Sequence, residues 1–262
     1  MEYKFWKYQG TGNDFIFLDG RNDVSAIKDN TPVIARLCDR KFGIGADGLI
    51  ILEEGSEHDF RMVYYNSDGS ESTMCGNGGR CAIAFAKFIG LAKDSTVFDA
   101  IDGKHAGEIL EDGWVELGMI NVSKISNLKT NVYEMNTGSP HYVQLLKKGE
   151  ALDIVDFGRK IRYNDQYKAE GINVNAAKML ENGISVETYE RGVEDETLSC
   201  GTGVTACAIA YNEFMGNKGK NSVDVMTKGG QLKVSFMEKD GQYFDIVLSG
   251  PAVRVFEGVI GV

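Results

Sequence analysis

The sequence predicts an α+β chain of two similar, pseudo-symmetric domains, each a curved, mostly antiparallel sheet around one principal helix. Three observations predict it. Short β-branched and aromatic runs, punctuated by Gly, Asn and Asp, outnumber helical runs. A Cys-Gly-x-Gly turn leading into an Ala-rich apolar stretch occurs twice, at Met74-Cys75-Gly76-Asn77-Gly78 and at Ser199-Cys200-Gly201-Thr202-Gly203. The features around these turns recur in the same order at nearly constant spacing. Thr11-Gly12-Asn13 is answered by Thr137-Gly138-Ser139, Gly45 by Gly171, Cys75 by Cys200, and Asp112-Gly113 by Asp240-Gly241. A repeat this long is not a solenoid unit. It marks two domains, residues 1–125 and 126–262, with the boundary between Asn121 and Lys129.

In chain order, Tyr3 to Tyr8 and Phe15 to Asp19 read as strands around the Gly10–Asn13 turn. Thr31-Pro32 opens a helix, because proline tolerates the first turn, where its missing N–H has no partner to lose. Val33, Ile34, Leu37 and Cys38 follow at helical spacing. The Gly43–Gly48 segment breaks the chain before a strand from Leu49 to Leu52. Phe60 to Tyr65 is a further strand, ended by Asn66-Ser67-Asp68-Gly69. The first cysteine turn then starts a helix that runs to about Ile89, with Gly90 as its left-handed terminator. Thr96 to Ile101, His105 to Leu110 and Trp114 to Met119 are strands, the last two joined by an Asp112-Gly113 hairpin turn. The second half repeats this plan. Leu232 to Phe236, Phe244 to Leu248 and Val253 to Phe256 are expected to complete the second domain.

Bulk composition narrows the function classes. The 262 residues carry a net charge of −10, which disfavours a nucleic-acid or anionic-membrane surface. The N-terminus lacks the apolar core of a signal peptide, and no apolar run reaches membrane-spanning length. Five cysteines at wide spacing read as reduced thiols of a cytoplasmic protein. With no Cys-x-x-Cys pair and three histidines, no metal site is expected. The Gly-x-Gly pieces lack a dinucleotide fingerprint, so no cofactor is expected either. Monomer and homodimer are both compatible with the sequence.

The duplicated turns carry the chemistry. A helix N-terminus presents free N–H groups and the positive end of the helix dipole, which favours a thiolate and binds an anion. Pseudo-twofold halves would bring two such ends, each with one cysteine, to one cleft. Inverting a carbon stereocentre requires removal of a proton from one face and delivery to the other. Two thiols suit that work because a thiol pKa of about 8.5 can be drawn toward neutrality. The backbone N–H groups of Gly76, Asn77, Gly201 and Thr202 would take the charge that moves onto a substrate carboxylate.

The chain resembles the diaminopimelate epimerase family. The matching pieces are Gly10–Phe15, Asn66–Ser70, Met74–Gly78, Pro140-His141, Asn173-Val174, and Tyr189–Gly192 with Cys200–Gly203. They cover nearly the whole chain in family order. The resemblance implies that family's two-domain fold and the interconversion of LL- and meso-diaminopimelate, a small amino-acid substrate, without pyridoxal phosphate. It makes Cys75 and Cys200 the two bases, with Gly76, Asn77, Gly201 and Thr202 on the reacting carboxylate. It places Asn13, Asn66, Asn173 and Arg191 in the substrate pocket, chiefly at the distal amino-carboxylate end. Glu190 would accept from a substrate ammonium or a polar neighbour, and His141 would support the thiol protonation state.

Two positions depart from the family pattern. Ser139 stands where asparagine is usual, and Gly48 where some relatives carry glutamine, each removing polar reach. A sulfur-bridged substrate such as lanthionine therefore stays in view. So do a racemase for proline or a basic amino acid and a non-catalytic amino-acid-binding protein. Cys38, Cys81 and Cys207 read as core residues, Arg80 as structural, and His58 and His105 as surface residues.

Overall fold

The computed structural model describes residues 1–262. Contacts divide it into two compact units. Unit 1 comprises Met1–Leu117 with Gly250–Val262, and unit 2 comprises Gly118–Ser249.

In unit 1, β1 (Glu2–Gly10) and β2 (Asn13–Asp19) form an antiparallel hairpin whose two loop residues, Thr11 and Gly12, both have positive φ. That is the backbone a tight hairpin needs to match strand twist. Helix α1 (Thr31–Cys38) then crosses to β3 (Gly48–Glu54), which pairs parallel to β2. A parallel neighbour requires such a crossover, since a short turn can only reverse the chain. β3 pairs antiparallel with β4 (Phe60–Asn66), and a short β5 (Glu71–Ser72) leads to the second helix, α2 (Gly76–Phe88). This second crossover returns the chain to β6 (Ser95–Ala100), parallel to β4, and β7 (Gly103–Ile109) and β8 (Val115–Gly118) follow as an antiparallel meander.

Unit 2 repeats the order. β9 (Ile125–Lys129) flanks β10 (Val132–Asn136), which forms a hairpin with β11 (Pro140–Leu146). Helix α3 (Ile154–Arg162) crosses to the parallel β12 (Asn173–Met179), and β13 (Ile184–Glu190) and β14 (Asp195–Thr197) follow antiparallel. Helix α4 (Gly201–Met215) crosses to β15 (Gly219–Thr227), parallel to β13. A meander of β16 (Gly230–Lys239) and β17 (Gln242–Gly250) closes the repeat. The expected class is thus observed, with each unit carrying two parallel strand pairs at its helical crossovers.

One strand differs from expectation. The final strand, β18 (Val253–Gly261), does not complete the second unit; it pairs antiparallel with β1. Its counterpart is β9, which follows the first meander and pairs with β10. Each first strand is thereby flanked by a strand from the end of the other repeat. Hairpin signals are local and readable, whereas this pairing joins opposite ends of the chain.

The helices that follow the cysteines form the cores. In α4, Val204, Ala206, Cys207, Ala208, Ile209 and Ala210 are fully buried, so the helix is apolar around most of its circumference, as a helix enclosed by a sheet must be. Its neighbours include Val143, Leu145, Val186, Leu232 and Leu248. Small alanines allow strands to approach closely on several sides. In unit 1, Trp6, Tyr8 and Phe17 surround Phe85 of α2 at ring separations of 5.0–5.7 Å, in the offset and edge-on geometries that aromatic quadrupoles favour. Cys38, Cys81 and Cys207 are buried core residues, and burial pushes the Cys81 thiol up to about 12. His105 is more enclosed than expected: it stacks on Phe98 and lies 3.2 Å from Asp102. No helix is long and apolar enough to cross a membrane.

Candidate active site

Both singled-out cysteines occupy the same structural position, the N-cap of a buried helix with extended backbone. Cys75 caps α2 and Cys200 caps α4. Glycine at the next position lets chain and ligand approach closely, and the first N–H groups of each helix have no partner within it.

In unit 1, the Cys75 sulfur accepts the Gly78 N–H at 3.2 Å, an arrangement that favours the thiolate. In its thiol form Cys75 donates over a long 3.9 Å contact to Asn13 Oδ1, which also receives the Asn77 amide at 3.5 Å. The Asn13 amide is itself aimed, donating to Asp47 Oδ2 at 2.6 Å. Asp47 is held by Arg40, which also bridges Asp14, and Asp14 meets the buried Lys7 Nζ at 2.6 Å. Burial alone would raise the Asp14 carboxyl, but hydrogen bonds from Arg40 and Lys7 outweigh it and hold the group down to about 2. Lys7, Asp14, Arg40 and Asp47 were not among the sequence candidates. Their role as a clamp on Asn13 depends on β1, β2 and the loop before β3 meeting. Asn66 lies in its own turn, where its backbone N–H donates to Ser70 O and its side-chain amide to Ser70 Oγ. Gly48 has a steric cause: a Cβ there would sit 2.6 Å from both the Tyr64 ring and Tyr65 O. It sits where β3 and β4 pack closely.

In unit 2, His141, Thr202 and Cys200 form a connected series. Asn175 anchors it. Its Oδ1 accepts the Thr188 hydroxyl at 2.9 Å and its Nδ2 donates to Tyr142 O at 3.0 Å, which fixes the amide orientation. Nδ2 also faces His141 Nδ1 at 3.1 Å, so Nδ1 accepts and the ring proton is assigned to Nε2. Nε2–H then donates to Thr202 Oγ1 at 2.9 Å, and the Thr202 hydroxyl hydrogen is left to point at Cys200 Sγ, 3.5 Å away. Thr137 Oγ1 ties the preceding hairpin to Thr202 O at 2.8 Å. Asn175 and Thr188 were missed in the sequence. The available signal was strand alternation, which places Asn175 on the same face as Asn173.

His141 is fully buried, and desolvation, reinforced by the Arg191 charge, drives its pKa down to about 3. The ring is therefore neutral at physiological pH. An unfolded histidine titrates near about 6.5. Between that value and about 3 the unfolded chain binds a proton that the folded chain refuses. Stability should fall as pH drops through this window, by up to about 1.4 kcal/mol per pH unit, and be unaffected by this group above it. Urea unfolding at pH 7.5, 6 and 5 should show a steeper loss for the wild type than for His141→Gln. Parallel profiles would mean that the folded state protonates the ring.

A second cluster in unit 2 joins Ser139, Asn173 and Arg191. Ser139 Oγ accepts Asn173 Nδ2 at 2.9 Å and Arg191 Nη2 at 3.3 Å, leaving the serine hydrogen free to donate. Asn173 Oδ1 accepts the Arg191 backbone N–H at 2.9 Å, and Arg191 Nη1 donates to Glu170 O at 3.1 Å. None of the chain's ion pairs involves Arg191, so its aimed guanidinium has capacity for an external carboxylate. Glu190 precedes it at the end of β13, half-buried. No three His, Cys, Asp or Glu side chains converge as metal ligands.

The fold and the paired N-cap cysteines define a class. Over its whole length the chain superimposes on all of a Bacillus anthracis phenazine biosynthesis protein of the PhzF family, with TM-score 0.75 and 13% identity. It also matches a hydroxyproline epimerase from Agrobacterium vitis, with TM-score 0.68, 12% identity, and coverage of 99% of this chain and 92% of the other. These likenesses establish the two-unit fold. Sequence is more specific: the model of the family described as Diaminopimelate epimerase matches residues 5–125 and 133–255. A diaminopimelate epimerase of Flavobacterium psychrophilum is 50% identical over 258 residues, covering 98% of this chain and 100% of the relative. The chain belongs to the diaminopimelate epimerase family.

Proposed function

We propose that the protein interconverts LL- and meso-diaminopimelate without a cofactor, by proton transfer through Cys75 and Cys200. Family membership gives the reaction. The observation that supports the residue assignment is that these two cysteines, and no others, cap buried helices at matching positions of the two repeats. In this reading one cysteine starts as thiolate and removes the α-proton, while the other starts as thiol and donates from the opposite face. The reverse direction exchanges the roles. The barrier lies in carbanion formation, and charge flows to the α-carboxylate. The N–H groups of Gly76, Asn77, Gly201 and Thr202 supply donors for it without reorganisation.

Ser139, Asn173 and Arg191 would recognise the distal end. Arg191 would grip its carboxylate, the free Ser139 hydrogen would add a donor, and Glu190 would accept from the distal ammonium. Asn13 and Asn66 complete the assignment on the unit 1 side. The acidic chain would act on a free amino acid in the cytoplasm, as monomer or homodimer. The reading is tested by proton NMR in deuterated water, with reductant and no pyridoxal phosphate. LL-diaminopimelate, meso-diaminopimelate and lanthionine are offered separately. Loss of the α-proton signal with growth of the other diastereomer is expected for diaminopimelate. Exchange of lanthionine alone would transfer the assignment to the sulfur analogue.

The neutral His141 series has its own test. Thr202→Val keeps the backbone N–H but removes the hydroxyl directed at Cys200. A hydrogen bond to a charged partner contributes about 1.5–3 kcal/mol, so kcat should fall by roughly 10–100-fold with little change in KM. Thr202→Ser should restore most of it. Equal kcat in the Val and Ser variants would remove the hydroxyl from the mechanism.

A further inference from the structure

Arg80 is the largest fully buried side chain of the protein, and it lies one and a half turns into α2, five residues after Cys75. A guanidinium removed from water ordinarily pairs with a carboxylate, because an isolated charge loses its hydration without compensation. Arg80 has no such partner. Its hydrogen bonds all go to neutral oxygens: Gly76 O at 3.2 Å, Asn77 Oδ1 at 3.0 Å and Thr11 Oγ1 at 3.3 Å. Its Nε is buried with no acceptor. The place is also adverse for a cation, since the N-terminal part of a helix favours negative charge. Gly10 packs closely over this turn: a Cβ there would lie 3.0 Å from Asn77 O, 3.3 Å from Cys81 Sγ and 3.4 Å from Arg80 Nη2.

Burial holds the Arg80 guanidinium down to about 10, and the thiols of Cys81 and Cys75, when ionised, would act against that. Cys81 is fully buried and stays a neutral thiol, with its pKa near 12. Tyr8 on β1 is likewise neutral, raised by burial to about 12. The Asp47 and Asp102 carboxylates have other partners. Asp47 holds Asn13 and Arg40, and Asp102 accepts the Met74 N–H while meeting His105. Cys75 alone is half-buried and already accepts an N–H at sulfur.

The second repeat supplies a comparison. Thr205 stands five residues after Cys200, where Arg80 stands after Cys75. Its hydroxyl donates to Gly201 O at 2.9 Å, the counterpart of the Arg80–Gly76 contact. The local hydrogen bond is therefore conserved between the repeats while the charge is present in one only.

We propose that Arg80 is a positioning residue whose buried guanidinium is the fixed counter-charge of the Cys75 thiolate, so that Cys75 is the ionised and Cys200 the protonated cysteine of the resting protein. This deepens the two-cysteine reading and rests on it for its catalytic meaning, but its test needs no turnover. Iodoacetamide alkylation of the intact protein, followed by peptide mass mapping across pH 5.5–9.5, gives a separate ionisation curve for each cysteine. Cys75 should titrate at least one pH unit below Cys200. Arg80→Met should move the Cys75 curve up by one unit or more and leave the Cys200 curve in place, while Arg80→Lys should retain most of the difference. A folded Arg80→Met protein with an unmoved Cys75 curve would overturn the proposal, as would wild-type Cys75 titrating with or above Cys200.

Should Arg80→Met fail to fold, the wild type and Cys75→Ser decide. A thiol whose folded pKa is depressed adds stability that is present above its unfolded pKa, about 8.5, and is lost as pH falls through the folded value. The unfolding constants of the two proteins should then diverge by up to tenfold per pH unit in that window. Parallel profiles would overturn the proposal. Shifted thiol curves in a protein that does not exchange diaminopimelate would leave Arg80's role intact and remove the epimerase reading instead.

Discussion

Cys75→Ala and Cys200→Ala are each expected to lower kcat/KM for epimerisation by about 10²–10⁴-fold, the usual contribution of a positioned acid–base group. Neither loss is compensated by the other cysteine, because inversion delivers the proton to the face opposite the one it left. Each variant should remain folded. Both thiols are partly exposed N-cap groups, and Ala replaces them without opening an enclosed cavity. The capping contribution at Cys75 is one hydrogen bond, from Gly78 N–H. By contrast, Cys81→Ser or Cys207→Ser places a hydroxyl in a fully buried apolar site and should act on stability. The measurement is the rate of diastereomer formation, run beside thermal unfolding. Full-rate epimerisation by either Ala variant would end the two-base assignment.

Arg191→Gln is expected to raise KM for diaminopimelate by roughly 10²-fold or more, with a smaller change in kcat. Hydrogen bonds to a charged group contribute about 1.5–3 kcal/mol each, and a guanidinium can make two to one carboxylate. The side chain is already aimed by Ser139 Oγ and Glu170 O, so little ordering is needed on binding. Arg191→Lys should recover only part of the affinity, since an ammonium lacks the planar fork. Because the distal carboxylate is remote from the reacting carbon, the loss should appear chiefly as weaker binding. The check is separate determination of kcat and KM for the three proteins. An unchanged KM for Arg191→Gln would remove Arg191 from substrate recognition. Strong turnover of proline or a basic amino acid by the wild type would point to a different substrate.

Much of the architecture is legible because its signals are local. The Asp240-Gly241 turn adopts positive φ at both residues and joins β16 to β17. Gly90 has φ of 74° immediately after the Ile89 C-cap of α2. Helix α3 carries an equally local signal: Asp153 accepts the N–H groups of Val155 and Asp156. The N-cap placement of the two cysteines was legible for a different reason, since the same motif occurs twice at equivalent points of the repeat.

The sequence by itself determined the two-repeat α+β plan, the family resemblance and the placement of two cysteines at helix starts. The plan and the helix starts follow from turn chemistry, periodicity and repetition, which act over a few residues, whereas Asn173 and Arg191 were named only through the resemblance and their meeting at Ser139 came from the fold. The tertiary structure alone decided that β18 pairs with β1, that Asp47 aims Asn13, that Asn175 sets the His141 proton toward Thr202, and that Arg80 is buried without a carboxylate. Strand partners distant in sequence, amide orientation and desolvation exist only after the chain has closed. Burial of a charge among neutral groups depends on what every surrounding element brings to the same place.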